Sequence, residues 1–274
     1  MERLPCSVPI LTLNAREGLE RLLPSLVERF DDVFLIDGNS TDGTREYAQS
    51  LGVRVEDQFP DSPLQNHVIN DFAAMRRRSW SLARHAWVLW LDADEVPGNG
   101  LLDRVSEIVR ADDARQAHRF VRVPQLPDGR IVTHGFYFPE RIIRLFHRDA
   151  GLRLVDRPVH EKFIIPDGVR LVDHEERILA PWSTPEVLWR RQRRYVELDN
   201  AAVVPTWPFL LRWVWWYNLV SLAGQLLRAC RSSWRGMTRG ETALPWSYNL
   251  LFFRYRVLRI VHGSHAWAVK RYRA

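Results

Sequence analysis

The sequence has little cysteine, no internal repeat and no low-complexity tract. Its two cysteines, Cys6 and Cys230, lie far apart and show neither a metal-binding spacing nor the pattern of a disulfide framework. The first residues also lack the long apolar segment of a signal peptide. These absences argue against a disulfide-stabilised secreted domain, and we expect a protein of the cytoplasm.

Long apolar runs and nucleic-acid-binding signatures are absent as well. The uncharged stretch 213–227 has 15 residues, whereas a membrane-spanning helix needs roughly 20. The sequence contains no helix-turn-helix, zinc-finger or RNA-recognition signature, and no glycine-rich phosphate loop follows the first apolar run. A nucleotidyltransferase and a non-catalytic protein that binds nucleic acid or membranes therefore stay as alternatives, and neither is favoured.

Charge is distributed unevenly along the 274 residues. Residues 181–274 contain 15 of the 39 Lys and Arg, only 4 of the 33 Asp and Glu, and 9 of the 12 Trp. Their net charge is +11, whereas residues 1–180 carry −5. This asymmetry indicates a mildly acidic catalytic part joined to a basic, aromatic part that binds a surface.

Hydrophobic periodicity predicts strands that alternate with helices in the first hundred residues. Continuous apolar runs, typical of strands buried on both faces, are separated by stretches with helical spacing. This order predicts a parallel sheet covered by helices on both sides, with ligands beyond the carboxyl ends of the strands. The predicted strands are 7–13, 32–38, 53–58, 87–91, 118–126, 141–149 and 159–167; the predicted helices are 16–30, 44–52, 66–84, 100–112 and 185–200, followed by aromatic segments at 205–230 and 244–261.

Polar residues stand where three of these strands end. Asn14, Asp37 and Asp92 each follow an apolar run, and Asp94 lies two residues beyond Asp92. Carboxylates two residues apart can share one side of a strand end, and they repel each other unless a cation lies between them. Hard oxygen ligands suit Mg²⁺ or Mn²⁺. An isolated D-x-D is also the composition of a solvated acidic turn, and the segment 36–44 is also a polar turn with a helix cap.

Several motifs together resemble the family 2 glycosyltransferases of the GT-A fold. These are "LTLNAREGLERLLPSL" (11–26), "DDVFLIDGNSTDGTREYAQSLGVRV" (31–55) and "WVLWLDADE" (87–95). "RIIRLFHRD" and "RPVHEKF" further along are similar to landmarks of the lipopolysaccharide core β-glucosyltransferases. The ordered match covers about residues 8–165, and the combination of motifs is far more specific than any one of them.

The resemblance implies an α/β fold of the Rossmann-like GT-A type. A mixed, mainly parallel sheet flanked by helices would form a catalytic domain over residues 1–180. Its nucleotide-sugar half would span about 7–100 and its acceptor half about 101–180. Residues 181–274 would form a C-terminal amphipathic helical extension that is basic, Trp-rich and membrane-associating.

The resemblance also assigns the first site residues. Asp37 would contact the nucleotide, Asn14 would line its pocket, and Asp92 with Asp94 would bind Mg²⁺ or Mn²⁺. The sequence departs from the family in two places. The Asn-Glu-Glu that often follows the first strand is Asn-Ala-Arg-Glu here, and "ILAPWS" (178–183) occupies the place of a family histidine, for which His174 is the nearest substitute.

The reaction that the resemblance implies is an inverting transfer of a hexose from a nucleotide-diphosphate sugar, with UDP-glucose as the family's suggestion. A bound metal would act as a Lewis acid on the departing diphosphate. Arg76 of "MRRRS" and Arg144 of "ERIIRLF" are candidates for phosphate contact, and Arg141 is a further candidate for phosphate or sugar. Each is also compatible with a solvated surface charge.

The transfer also needs a general base that accepts the proton of the acceptor hydroxyl. Glu161 of "VHE" is the first choice for this base, and Asp94 and Glu95 are the alternatives. His160 is a candidate for orienting the base or touching the sugar. A surface carboxylate and a structural histidine are the simpler interpretations of the same residues.

Two aromatic, arginine-containing segments, 207–235 and 249–273, predict binding to an anionic membrane surface. Attachment would then be peripheral, on the inner face of the cell membrane. The acceptor would be a saccharide or a lipid-linked saccharide of the cell envelope or of lipopolysaccharide. An amphipathic helix pair that packs on the catalytic domain is the alternative.

Overall fold

The computed structural model describes residues 3–62, 64–69, 71–135, 140–155, 163–201, 203–240 and 242–273. The chain forms two compact units, residues 1–122 with 140–180 and residues 123–139 with 181–274. The elements centred on the first unit are strands β1 (Leu4–Thr12), β2 (Phe30–Asp37), β3 (Arg54–Asp57), β4 (Trp87–Leu89), β5 (Val96–Pro97), β6 (Gln116–Gln125), β7 (Glu140–His147), β8 (Arg153–Leu154), β9 (Phe163–Ile164) and β10 (Arg170–Pro181), with helices α1 (Arg16–Arg29), α2 (Thr44–Ser50), α3 (Phe72–Ser81) and α4 (Leu101–Ala111).

An eight-stranded sheet organises the first unit. Its strand order is β3-β2-β1-β4-β7-β6-β10-β5, and β8 pairs with β9 in a separate small sheet. The neighbours among β3, β2, β1 and β4 are parallel, whereas β4–β7, β7–β6 and β10–β5 are antiparallel. The predicted fold class, a mixed α/β sheet flanked by helices, is confirmed.

Both faces of the parallel half are buried, as continuous apolar strands require. On β2, Leu35 belongs to one core cluster and Phe34 with Ile36 to the other, because successive side chains point to opposite faces. Apolar residues of α1 and α4 complete the first cluster, and Met75 of α3 contributes to the second. The helices thus hold the sheet from two sides and leave its carboxyl edge to loops.

Some element boundaries differ from the sequence-based prediction. The helix predicted over 66–84 begins only at Phe72, because the Asp71 side chain accepts a hydrogen bond from the amide of Ala74 and caps the helix there. Of the strand predicted over 159–167, the described residues 163–167 form a strand at Phe163–Ile164, and residues 159–162 lie outside the described ranges. The long strand β10 was not predicted, since the charged run DHEER at its centre breaks the alternation that indicates a strand.

The second unit is mainly helical. It contains α5 (Pro185–Ala201), α6 (Trp207–Phe209), a π-helical segment (Leu210–Trp216), α7 (Tyr217–Arg239) and α8 (Trp246–Arg273). Its cores include one cluster around Leu126, Val132 and Leu244 and another around Leu210 and Val214. In the described part of the chain, no helix combines the length and apolar character needed to cross a membrane. The functional division at residue 180 stays a prediction.

Candidate active site

The carboxyl ends of the parallel strands bring several predicted residues to one edge of the sheet. Thr12 of β1 is in register with Asp37 of β2, and Asp37 is in register with Asp57 of β3. The strand β4 ends at Leu89, and the loop that contains the D-x-D follows it. This is the edge at which open α/β sheets bind their ligands.

Asp37 is buried and organises the loop that follows β2. One carboxylate oxygen, Oδ2, accepts hydrogen bonds from the hydroxyls of Thr12 and Ser40, both at 2.7 Å. The other, Oδ1, accepts from the Ser40 amide at 2.8 Å, and Nη1 of Arg45 lies 3.4 Å away. Asp37 therefore orders this loop before any ligand binds.

Asn14 is joined to the same loop. The backbone amide of Asn14 donates a hydrogen bond to Ser40 Oγ at 2.8 Å, and the side-chain Oδ1 of Asn14 accepts one from the backbone amide of Thr41 at 3.0 Å. Asn14 has a φ of 48°, a left-handed backbone conformation that asparagine tolerates better than most residues. The structure thus brings Asn14 and Asp37 together through one serine.

Two arginines hold Asp92, the first carboxylate of the D-x-D. Nη2 of Arg144 donates to Oδ2 of Asp92 at 3.0 Å, and Nη2 of Arg76 donates to Oδ1. Both arginine side chains are buried, whereas the Asp92 side chain keeps 31% of its surface exposed. Asp92 is therefore a solvent-reaching carboxylate that two buried cations neutralise.

Glu95 hydrogen-bonds to the backbone of Asp92 and so closes the turn that contains both residues. Its side chain is fully buried, and Oε1 accepts hydrogen bonds from Arg144 and, at 2.7 Å, from Nε of Arg122. Oε2 accepts from the Asp92 amide at 3.1 Å, and the Glu95 amide donates to the Asp92 carbonyl at 3.0 Å. Three arginines and two carboxylates leave the cluster with a net charge of +1.

The pKa shifts follow from this arrangement. Burial alone would raise the pKa of Asp92, but the charges of Arg144, Arg76 and Arg122 outweigh it and hold that pKa well below its ordinary value. Burial raises the pKa of Glu95, and the neighbouring Asp92 charge adds to the effect, despite the arginines. Burial would lower the pKa of Arg144, yet Glu95 and Asp92 keep it above its ordinary value.

The Trp90 ring packs against the guanidinium groups of Arg76 and Arg144. The Arg76 guanidinium is 4.3 Å from the Trp90 ring centroid, and that of Arg144 is 5.2 Å from it. Stacking on a buried indole fixes the plane of a guanidinium and lowers the entropy that it loses on binding an anion. Trp90 and Arg122 were not predicted as site residues, because their role depends on neighbours distant in sequence.

Asp94 occupies the exposed side of the same turn. The turn is held against α1, where a Cβ on Gly18 would lie 2.4 Å from the Ala93 carbonyl oxygen. Within the described ranges, no group of three or more His, Cys, Asp or Glu is placed to bind a metal. Among the residues that the structure describes, the donor set is thus two carboxylates at most, and this set fits Mg²⁺ or Mn²⁺ when substrate oxygens supply the other ligands.

Other predicted residues lie elsewhere or outside the described part. Arg141 donates to the His174 carbonyl at 2.7 Å and pairs with Glu175, so these contacts are on β10 rather than at Asp92. Nε2 of His174 is 3.0 Å from Nδ1 of His118, a buried residue not predicted from the sequence. Glu161 and His160 fall outside the described residues.

Residues 7–159 match a family model described as "Glycosyl transferase family 2". A curated relative, "Lipopolysaccharide core biosynthesis glycosyltransferase LpsC" of Rhizobium meliloti, is 28% identical over 172 residues, 61% of this chain and 59% of the relative. A TPR repeat-containing protein of Synechococcus elongatus is 27% identical over 66% of this chain. The chain spans 59% and 41% of the lengths of these two relatives.

Solved structures are similar at lower identity. The crystal structure of S. aureus TarS 1–349 in complex with UDP-GlcNAc is 14% identical and covers 98% of this chain and 92% of that chain, with a TM-score of 0.46. Glucosyl-3-phosphoglycerate synthase from Mycobacterium tuberculosis in complex with UDP is 20% identical over 43% of this chain and 44% of that chain, with a TM-score of 0.33.

Proposed function

Because the chain belongs to glycosyl transferase family 2, we propose that it transfers a hexose from a nucleotide-diphosphate sugar to a saccharide acceptor, with inversion at the anomeric carbon. The observation that carries this proposal is the cluster of Arg76, Arg144 and Arg122 around Asp92 and Glu95 at the carboxyl edge of the sheet. A desolvated cationic cluster at this edge suits a diphosphate.

The loop around Asp37 and Asn14 receives the nucleoside in this proposal. Asp37 keeps Ser40 and the following turn in place, and it acts on the nucleoside through that loop, because its buried oxygens already accept four hydrogen bonds. Asn14, which is hydrogen-bonded to the same loop, lines the nucleoside site beside Asp37. UDP-glucose is the proposed donor.

Arg76 and Arg144 bind the diphosphate. Both are buried and each is held by Asp92 and by the Trp90 ring, so little reorganisation accompanies phosphate binding. As the bond to the anomeric carbon breaks, negative charge grows on the leaving diphosphate. Fixed guanidinium groups stabilise that charge more than they stabilise the bound donor, and this difference lowers the barrier.

Mg²⁺ or Mn²⁺, held by Asp94 and the exposed edge of Asp92, would neutralise further charge on the diphosphate. Asp94 is the more exposed of the two carboxylates and so the more accessible to a hydrated metal ion, whereas Asp92 accepts a hydrogen bond from an arginine on each oxygen. Asp92 has a second task, which is to orient Arg76 and Arg144.

Glu161 remains the proposed general base, with Asp94 as the alternative. Glu95 is better assigned as a positioning residue, because it is fully buried and both of its oxygens already accept hydrogen bonds. A base must reach the acceptor hydroxyl within hydrogen-bond distance. A carboxylate enclosed by two arginines and a backbone amide does not offer that reach.

The acceptor in this proposal is a lipid-linked saccharide of the cell envelope, in lipopolysaccharide or polysaccharide synthesis. The name of the Rhizobium meliloti relative and the basic second unit both support it. Such an acceptor requires the enzyme to work at an anionic membrane surface, which we place at the inner face of the cell membrane.

Thermal-shift measurements with UDP, GDP, ADP and CMP, each with and without Mn²⁺, test the donor site. A nucleotide at about 100 times its Kd stabilises the folded state by about 2.7 kcal/mol, a rise of roughly 5–10 °C in Tm for a chain of this size. We expect UDP to stabilise the protein, and Mn²⁺ to increase the shift. Stabilisation by none of the four, in either condition, contradicts the proposal.

Matched variants locate the metal. Asp94→Asn should lose the Mn²⁺-dependent part of the shift, whereas Asp61→Asn, at an exposed position, should keep it. Asp92→Asn should abolish turnover with the fold intact. In a second assay, either variant is measured in the presence of chelator. If Asp92→Asn or Asp94→Asn then turned over substrate as fast as the unmodified protein, the metal assignment would be excluded.

A further inference from the structure

The helix α7, with the π-helical segment before it, has an unusual distribution of polarity. In a helix of a water-soluble protein, apolar side chains face the interior and polar ones face solvent. Here large apolar side chains are exposed and several polar side chains are buried. This reversal is the observation from which the inference proceeds.

The exposed side, called here the outer face, carries Leu211, Trp215, Trp216, Leu219 and Leu227. Trp216 keeps 68% of its surface exposed and Leu227 keeps 72%. Four of these residues, with Pro208 and Arg212, line an open hollow of about 570 Å³. Contiguous apolar surface of this kind marks an interaction site.

The buried stripe of the same helix is polar. Asn218, Gln225 and Ser232 are at most 5% exposed. Asn218 donates to the Val214 carbonyl, and its Oδ1 lies 3.4 Å from a guanidinium nitrogen of the buried Arg256 on α8. The side-chain amide of Gln225 has no hydrogen-bond partner among the described residues. The hydrophobic effect in water does not account for this choice of inner and outer residues.

The charge pattern identifies what covers the outer face. Neither α7 nor α8 contains an acidic residue. The second half of α7 carries Arg228, Arg231, Arg235 and Arg239. A second copy of the chain, docked about a two-fold axis, would bring equal arginine-rich ends into one interface without acids to pair with them. An anionic lipid surface presents phosphates to the arginines and acyl chains to the apolar residues.

We propose that the outer face of α7 enters the acyl-chain region of an anionic lipid monolayer, with the arginines of its second half at the phosphates. The helix lies in one leaflet without crossing the bilayer, in keeping with its hydropathy. Acyl chains supply the apolar surroundings that the outer face requires, and the polar stripe stays within the protein.

This attachment deepens the proposed function, since it places the enzyme where a lipid-linked acceptor is found, but it uses no residue of the Asp92 cluster. The two proposals therefore fail separately. A protein that binds UDP but no vesicles retains the donor site and loses the anchor. A protein that binds vesicles but no nucleotide retains the anchor alone.

Flotation of the full chain with phosphatidylglycerol–phosphatidylethanolamine vesicles tests attachment. We expect binding that persists in 1 M NaCl, because salt screens charge attraction and leaves apolar insertion intact. Leu219→Glu with Leu227→Glu should lower the vesicle-bound to free ratio at least about tenfold. Leu64→Glu, at a residue with 60% exposure in the first unit, is the matched control and should bind normally. Release of the unmodified protein by 1 M NaCl would overturn the insertion.

Spin labels measure depth without relying on the glutamate variants. In a Cys230→Ser background, labels are attached at Leu227→Cys, Arg239→Cys and, as an aqueous control, Gln49→Cys. With vesicles, the label at 227 should become accessible to oxygen and protected from a water-soluble nickel complex, and the label at 49 should not change. A label at 227 that stays aqueous, or a vesicle-free dimer that the two glutamates dissociate, overturns the proposal.

Discussion

Nη2 of Arg144 lies 3.0 Å from Oδ2 of Asp92, although 52 residues separate them in sequence. The pairing of β7 with β4 creates this contact, and the Trp90 amide donates to the Arg144 carbonyl at 2.7 Å just beyond the paired strands. A residue from the antiparallel half of the sheet thereby completes a site that begins in the parallel half.

Replacement of Arg144 should cost both stability and donor binding. Arg144→Gln leaves the buried Glu95 with one arginine fewer, and removing one partner of a buried ion pair costs about 3–5 kcal/mol. We expect a fall of about 3 kcal/mol in the free energy of unfolding, measured with urea, and loss of the thermal shift with UDP.

Arg141, three residues earlier on β7, is the matched control. Its carboxylate partner Glu175 is 85% exposed, so Arg141→Gln should cost about 1 kcal/mol or less. Equal losses of stability for the two variants would show that the buried cluster contributes no more to stability than the exposed Arg141–Glu175 ion pair.

Gly18 sets how closely α1 approaches the D-x-D turn. In Gly18→Ala the new Cβ would lie 2.4 Å from the Ala93 carbonyl oxygen, so the turn has to move. We expect a loss of about 1–3 kcal/mol in the free energy of unfolding and weaker UDP binding. Gly224→Ala, where the Cβ meets nothing within 4 Å, should instead stabilise the protein by about 0.5–1 kcal/mol. Unchanged stability of Gly18→Ala would contradict the close approach.

Glu161→Gln tests the proposed base. General base catalysis contributes about 10²–10⁴-fold, so turnover should fall by at least about a hundredfold. Donor binding in the thermal-shift assay should stay intact, because the base contacts the acceptor. Asp167→Asn, an exposed residue of the next segment, should leave turnover unchanged. Full turnover in Glu161→Gln transfers the base role to Asp94.

The buried His118 predicts acid sensitivity of the fold. Burial lowers the pKa of His118 to about 4 from its ordinary value of 6.5, and the neighbouring His174 adds to the effect. Between these pH values the unfolded chain binds a proton that the folded chain does not. The free energy of unfolding should therefore fall as the pH decreases from 6.5 to 4, by about 2–3 kcal/mol at most.

Urea unfolding across this pH range measures the effect. His118→Gln should reduce the dependence on pH, whereas His262→Gln, at an exposed position on α8, should not. If the unmodified protein and His118→Gln lose stability in parallel, another group is responsible.

The sequence by itself determined the parallel half of the fold. Strands buried on both faces need continuous apolar runs, so β1, β2 and β4 could be located from composition alone, and the polar residues after them could be assigned to one edge. The positions of Asn14, Asp37 and Asp92 at that edge follow from this rule.

Only the tertiary structure decided which residues surround Asp92. Arg122, Arg144 and Glu95 meet through strand pairing between residues 27 to 52 positions apart, and a single sequence carries no information about such pairs. The same holds for α7. Its composition indicated an amphipathic helix, but which side is buried depends on the packing of α8 against it, and that packing places the polar stripe inside.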